Sequence, residues 1–134
     1  MKFPSLGCTI EVFSQVNPSE DPEKIKKAIL NILPDSDITT EDFLIKAKTN
    51  NFQSLKKIHE FIHSTQSQKV LQRQLEKHMD KNSTWFYLNK QAAYVEKPVL
   101  CDETDESPLG PLKVILTSTN IDRIIDALVV GNAN

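Results

Sequence analysis

Apolar and polar positions alternate through "CTIEVFSQV", with Ile10, Val12 and Ser14 on one side and Thr9, Glu11 and Phe13 on the other, which predicts a first strand. The next stretch, "NPSEDPEKIKKAILNILP", changes to helical spacing through Ile25, Ala28, Ile29 and Ile32. Asp21 is placed to cap this helix, Pro22 to occupy its first position, and Pro34 to stop it. A polar turn, "DSDITTED", then leads into a strand at "FLIKAKT", where Leu44, Lys46 and Lys48 oppose Phe43, Ile45 and Ala47.

Asn50 and Asn51 offer a cap to a helix with Phe52, Leu55, Ile58 and Ile62 in one stripe, broken at "HSTQSQ". The following helix is expected from about Gln66 to Lys81, with Leu71, Leu75, His78 and Met79 on its apolar side. "TWFYLNKQAAYV" predicts a third strand, running on through "EKPVLC" to a fourth, with Pro98 marking a bulge, kink or edge. "DETDE" is an acidic loop, and "SPLG" fits a type I turn with Pro108 second and Gly110 fourth. "PLKVILTS" is the last strand. A helix at "TNIDRIIDALVVG" closes the series, with Ile121, Ile124, Ile125 and Leu128 as its stripe and Gly131 as its end. The order β-α-β-α-α-β-β-β-α predicts one α+β domain over residues 1–134. It has two layers, a twisted and mainly antiparallel or mixed sheet with helices packed largely on one face.

Composition agrees with a globular chain: 134 residues, 39% hydrophobic and 25% charged, with no apolar run long enough for a membrane span. The opening "MKFPSLGCTIEVF" does not read as a secretory signal, so the expected location is cytoplasmic and no membrane partner is expected. Cys8 and Cys101 are too few for a disulfide framework, and reduced thiols are expected.

Charge changes the picture more. The net value is −2, yet ten of the 16 basic residues and only four of the 18 acidic ones lie between Lys46 and Lys97. The middle therefore holds a surplus of six positive charges, and the flanks a surplus of eight negative ones. Lys69, Arg73, Lys77 and Lys81 follow one another at i+4, drifting round a helix by about 40° per step into a slanted band. Such a band can track phosphates, and it can equally be a solvated face balanced by acids elsewhere.

Within "WFYLNKQAAYV", alternation puts Trp85, Tyr87, Asn89, Gln91 and Ala93 on one side. Trp85 and Tyr87 are the residues that could stack on bases, with Lys90 and Gln91 adding polar contacts at a strand end leaving the core. A strand buried under helices explains the same pattern.

Chemistry-bearing motifs are few. Three isolated glycines, at 7, 110 and 131, cannot build a phosphate cradle. "HEFIH" matches HExxH through His59, Glu60 and His63, but it falls in the last turn of a short helix and no downstream cluster offers a third zinc ligand. No nucleophile elbow stands out, and the acidic loop lacks the ligand spacing of a calcium site. No cofactor, no metal and no catalytic residue are expected.

With "LNKQAAYVEK" and "ESPLGPLKV" both in view, the chain resembles a small archaeal family labelled RNA-binding or exosome-subunit-like. In that family a Lys-Gln-Ala-Ala segment precedes a strand, and a Pro-Leu-Gly-Pro turn introduces the last strand before a C-terminal helix. The resemblance covers nearly the whole chain. It implies an α+β fold similar to that of the fifth large-subunit ribosomal protein, and an RNA link resting on fold likeness. Glu96 departs from the pattern, where glycine is expected. The reading that follows is a non-enzymatic RNA-interacting domain. Its main rival is a protein-interaction or assembly module acting as a homodimer, and its outsider a metal-dependent hydrolase built on the HExxH match.

Overall fold

The computed structural model describes residues 7–101 and 110–130. The acidic loop "DETDE", Pro108 and Gly131 lie outside the described residues; Gly110 has a φ of 79°, a value that favours glycine.

Six antiparallel strands form one sheet in the order β2-β3-β1-β6-β4-β5. They are β1 (Thr9–Gln15), β2 (Asp37–Glu41), β3 (Leu44–Thr49), β4 (Ser83–Leu88), β5 (Leu100–Cys101) and β6 (Leu112–Thr117). The helices are α1 (Pro22–Ile32), α2 (Lys56–Ser64), α3 (Gln68–Lys77), α4 (Lys90–Ala93) and α5 (Ile121–Val129), with a 3-10 turn at Phe52–Leu55 leading into α2.

Partners directly opposite in an antiparallel pair share a face of the sheet. On one face Ile10, Val12, Ile45, Ala47, Phe86, Leu88, Leu112, Val114 and Leu116 are all buried. Ile25, Ala28, Ile29 and Ile32 of α1, Ile58 and Ile62 of α2, Leu71 and Leu75 of α3, and Ile124 and Leu128 of α5 complete this core. The expected two-layer α+β domain with helices over one face is what forms. Asp21 accepts a bond from the Glu23 amide at 3.0 Å, Pro22 opens α1, and Asn51 caps the 3-10 turn through Gln53.

Four local expectations are corrected. The polar turn "DSDITTED" contains β2, held by backbone pairing with β3 rather than by an apolar face, since Ile38 alone of its five residues is partly buried. Phe43 does not share a face with Ile45; it sits in the β2–β3 turn and is 71% exposed. The basic helix runs only from Gln68 to Lys77. Gln66, at φ 55°, ends α2 through bonds from the Ser67 amide to Ile62 and from its own amide to His63, and Lys81, at φ 57°, lies in the two-residue turn that starts β4. Finally, the third strand stops at Leu88. Asn89 caps α4 by accepting from the Ala92 amide at 3.0 Å, and Lys, Gln and Ala all favour helix over strand.

Candidate nucleic-acid interface

The face of the sheet away from the helices carries two cross-strand rows. Thr39, Lys46, Phe13, Lys113, Tyr87 and Cys101 form the first, and Asp37, Lys48, Glu11, Ile115 and Trp85 the second. Phe13, Trp85, Tyr87, Ile115 and Lys113 are half-buried, in contrast to the fully enclosed residues beneath them. Aromatic rings and ammonium groups interleave here. Lys46 Nζ lies 5.5 Å from the Phe13 ring centre, and Lys113 Nζ lies 4.5 Å from that of Trp85. Lys46 also pairs with Glu11 at 3.2 Å.

Helix α3 lies along the β4 edge that the two-residue β5 leaves uncovered. Its Gln74 side chain behaves as a piece of strand, accepting from the Tyr87 amide at 3.1 Å and donating to the Cys101 carbonyl at 3.0 Å. His78 Nδ1 lies 3.0 Å from the Trp85 carbonyl oxygen. Its ring stacks on Trp85 at 4.7 Å and 11°, and meets Tyr87 edge-on at 5.9 Å. The end of α3 therefore reaches the aromatic rows. Thr84 donates to the Leu75 carbonyl at 2.6 Å, fixing the helix from the core side.

Lys69, Arg73 and Lys77 are exposed on α3, and Lys81 is exposed in the following turn. Residues one apart on a helix differ by about 100°, so Arg73 and Lys77 lie beyond Gln74 and His78, on the side away from Leu75. Among the described residues, Lys48, Lys69, Arg73, Lys77, Lys81 and Lys113 form no ion pair.

Lys90 has a different fate. Its side chain is 1% exposed, and its ammonium donates to the Gln15 carbonyl at 3.0 Å and to both Glu20 carboxylate oxygens at 3.1 and 3.3 Å. Burial pushes the Glu20 carboxyl upward, but bonds from the Asn17 amide and side chain, together with Lys90, outweigh this and hold it below its usual range. Tyr94 is raised by burial first, then by the charge of Glu20 and a hydrogen bond to it. Asn31 adds a bond to the Ala93 carbonyl at 3.0 Å. The Lys-Gln-Ala-Ala segment thus ties α4 to α1 and to the end of β1. Lys90 is removed from any contact surface, while Gln91 stays exposed in α4.

Glu96 occupies the left-handed position at φ 61°. Bonds from the Lys97 amide to the Ala92 carbonyl and from the Glu96 amide to Ala93 close a Schellman turn, which explains why glycine is expected there. Lys57 pairs with Glu96 at 2.7 Å.

The HExxH side chains do not gather a ligand set. His59 is buried with Nδ1 3.3 Å from the Leu128 carbonyl, and desolvation, then the neighbouring His63, lowers its pKa. The two rings are 4.1 Å apart, His63 Nδ1 lies 3.1 Å from Gln68 Nε2, and Glu60 is exposed. Among the described residues no three His, Cys, Asp or Glu side chains converge as a metal site would require. Cys8 and Cys101 are not joined in a disulfide, and burial raises the Cys8 thiol to about 11. No helix among the described residues is long and apolar enough to cross a membrane.

Phe13, Lys46, Lys48 and Lys113 were not singled out by sequence reasoning as contact residues. The signal was present in part, since alternation already placed Lys46 and Lys48 opposite Ile45 and Ala47. Joining them to Trp85 required the pairing register.

A family model described as RNA binding matches residues 9–118. A UPF0201 protein of Methanothermobacter thermautotrophicus is 35% identical over 119 residues, covering 89% of each chain. One of Sulfurisphaera tokodaii is 33% identical over 118 residues, covering 85% of this chain and 81% of its own. The crystal structure of a UPF0201 protein from Methanococcus jannaschii is 31% identical, with a TM-score of 0.75 over 94% of this chain and 95% of that one.

Proposed function

The chain belongs to the family described as RNA binding and named UPF0201 in its relatives, and from this premise we propose that it is a non-enzymatic RNA-interacting domain. The contact surface is the helix-free face of the sheet together with the outer side of α3. One observation supports the reading: Lys113 lies over Trp85 within a half-buried set of aromatic rings, and α3, whose end meets those rings through His78, exposes Lys69, Arg73 and Lys77 without a carboxylate partner among the described residues. Lys69, Arg73, Lys77 and Lys81 contact phosphates, with Lys48 and Lys113 doing so across the sheet. Trp85 and Tyr87 supply the aromatic part, and Gln91 is a peripheral polar contact. The likeness to the fifth large-subunit ribosomal protein belongs to this proposal, supported by the one-sided antiparallel sheet.

The test is the salt dependence of affinity for a mixed pool of single- and double-stranded RNA. Affinity falls steeply with salt, and Arg73→Ala lowers the slope of log affinity against log salt by about one unit. Negligible binding at low salt refutes the reading.

The assembly alternative has one favouring observation, the exposed Phe43 and Leu44 at the β2–β3 turn. Against it, edge strand β2 carries Asp37 and Glu41, which resist pairing with another chain. A stable dimer in sedimentation at micromolar concentration would favour the alternative.

A further inference from the structure

The state of the RNA follows from what the open face can and cannot recognise, given the RNA reading above. A duplex turns its bases inward and offers phosphates, sugars and groove edges, for which aromatic rings have little use. Unpaired bases offer flat faces, and a surface of half-buried rings set among ammonium groups matches bases and phosphates together. Phe13 and Tyr87 flank Lys113 directly across β1, β6 and β4, and Trp85 is two residues from Tyr87 on the same side.

Trp85 is engaged by two partners of unequal mobility. His78 is fixed at the end of α3 by its bond to the Trp85 carbonyl. Lys113 is held over the ring only through a flexible stem and a cation–π contact. No hydrogen bond among the described residues serves the Trp85 indole nitrogen.

We infer that the open sheet face takes single-stranded RNA, with Lys113 leaving the Trp85 ring to meet a phosphate while a base stacks in its place. Lys113 is then both a cover for the ring in the unbound protein and a phosphate contact in the bound one. Lys77 and Lys81 extend the phosphate track from the edge of β4.

Trp85 is the sole tryptophan, so its emission reports on this event directly. The experiment titrates the full chain with a short single-stranded oligouridylate or oligoadenylate and with a duplex of equal length, following Trp85 fluorescence and, separately, the anisotropy of a labelled RNA. The single strands bind more tightly than the duplex and change the emission saturably, with the same midpoint in both signals. Tyr87→Leu weakens single-strand binding about tenfold, as loss of one base stack does. Lys113→Met, checked for folding by circular dichroism, weakens it and starts from an already altered emission. Tighter duplex binding with unchanged emission overturns the single-strand inference and leaves the RNA reading standing. No anisotropy change with either RNA at low salt overturns both.

Discussion

Lys90 and Lys113 sit on the same small domain and do opposite things with one ammonium group. Lys90 is buried, its ammonium donates to Gln15 and Glu20, and it joins β1, the loop before α1, and α4. Lys113 lies half-exposed on the helix-free face, with an aromatic ring as its only recorded partner among the described residues. The difference teaches that the lysine of a short motif can serve as a buried structural tie. The Lys-Gln-Ala-Ala segment is chiefly a structural tie that leaves Gln91 exposed, and the surface proposed for RNA draws mainly on side chains outside it.

The largest expected effect separates the two sites by stability. Glu20→Gln leaves Lys90 charged and buried without its counter-ion, and should destabilise the fold by about 3–5 kcal/mol in denaturant melts. Lys90→Met in that background should recover much of the loss, because the pair is then replaced rather than broken. On the open face, Lys113→Met and Lys77→Ala should each shift stability by no more than about 0.5 kcal/mol. Each should also remove about one unit of salt slope from RNA affinity. Reversal of these two patterns would end the comparison.

Acid sharpens it. The Glu20 carboxyl is depressed in the folded protein, so its contribution is present above the ordinary 4.5 and is lost as pH falls through the lower folded value. His59 is also depressed, which means the unfolded chain takes up its proton first. Its contribution is complete above 6.5 and declines as pH falls below that value. Melting temperatures across the two windows should show two separate losses, with the lower one absent in Glu20→Gln. Smallest is the effect of Glu96→Gly. Relief of the left-handed strain should raise the melting temperature slightly, offset in part by loss of the exposed pair with Lys57.

Elements with local signals were legible in the sequence. Alternation through Ile10, Val12 and Ser14, and the caps at Asp21 and Asn51, act within a few residues and were read as they stand. Strand β2 was not legible, because "DITTE" has no apolar face and pairs through its backbone alone. The end of β4 was hidden by a run of strand-favouring aromatics that continues into a helix-favouring Lys-Gln-Ala-Ala. Lys90 was assigned to the surface since its counter-ion lies 70 residues away, a distance no local pattern spans. The candidate face was half visible. Trp85, Tyr87 and the α3 cations could be named, but Phe13, Lys46, Lys48 and Lys113 join them only through the register of β1, β3, β6 and β4.

Lysine reactivity tests the contrast most directly. The folded chain is acetylated with and without single-stranded RNA, and each lysine is read by mass spectrometry. Lys113, Lys77 and Lys81 should react in the free protein and be protected by RNA. Lys90 should stay unmodified in both, and Lys24 and Lys27 on the helix side should react equally in both. Modification of Lys90 in the folded protein, or protection of Lys24 and Lys27 while Lys113 and Lys77 remain reactive, would contradict the account.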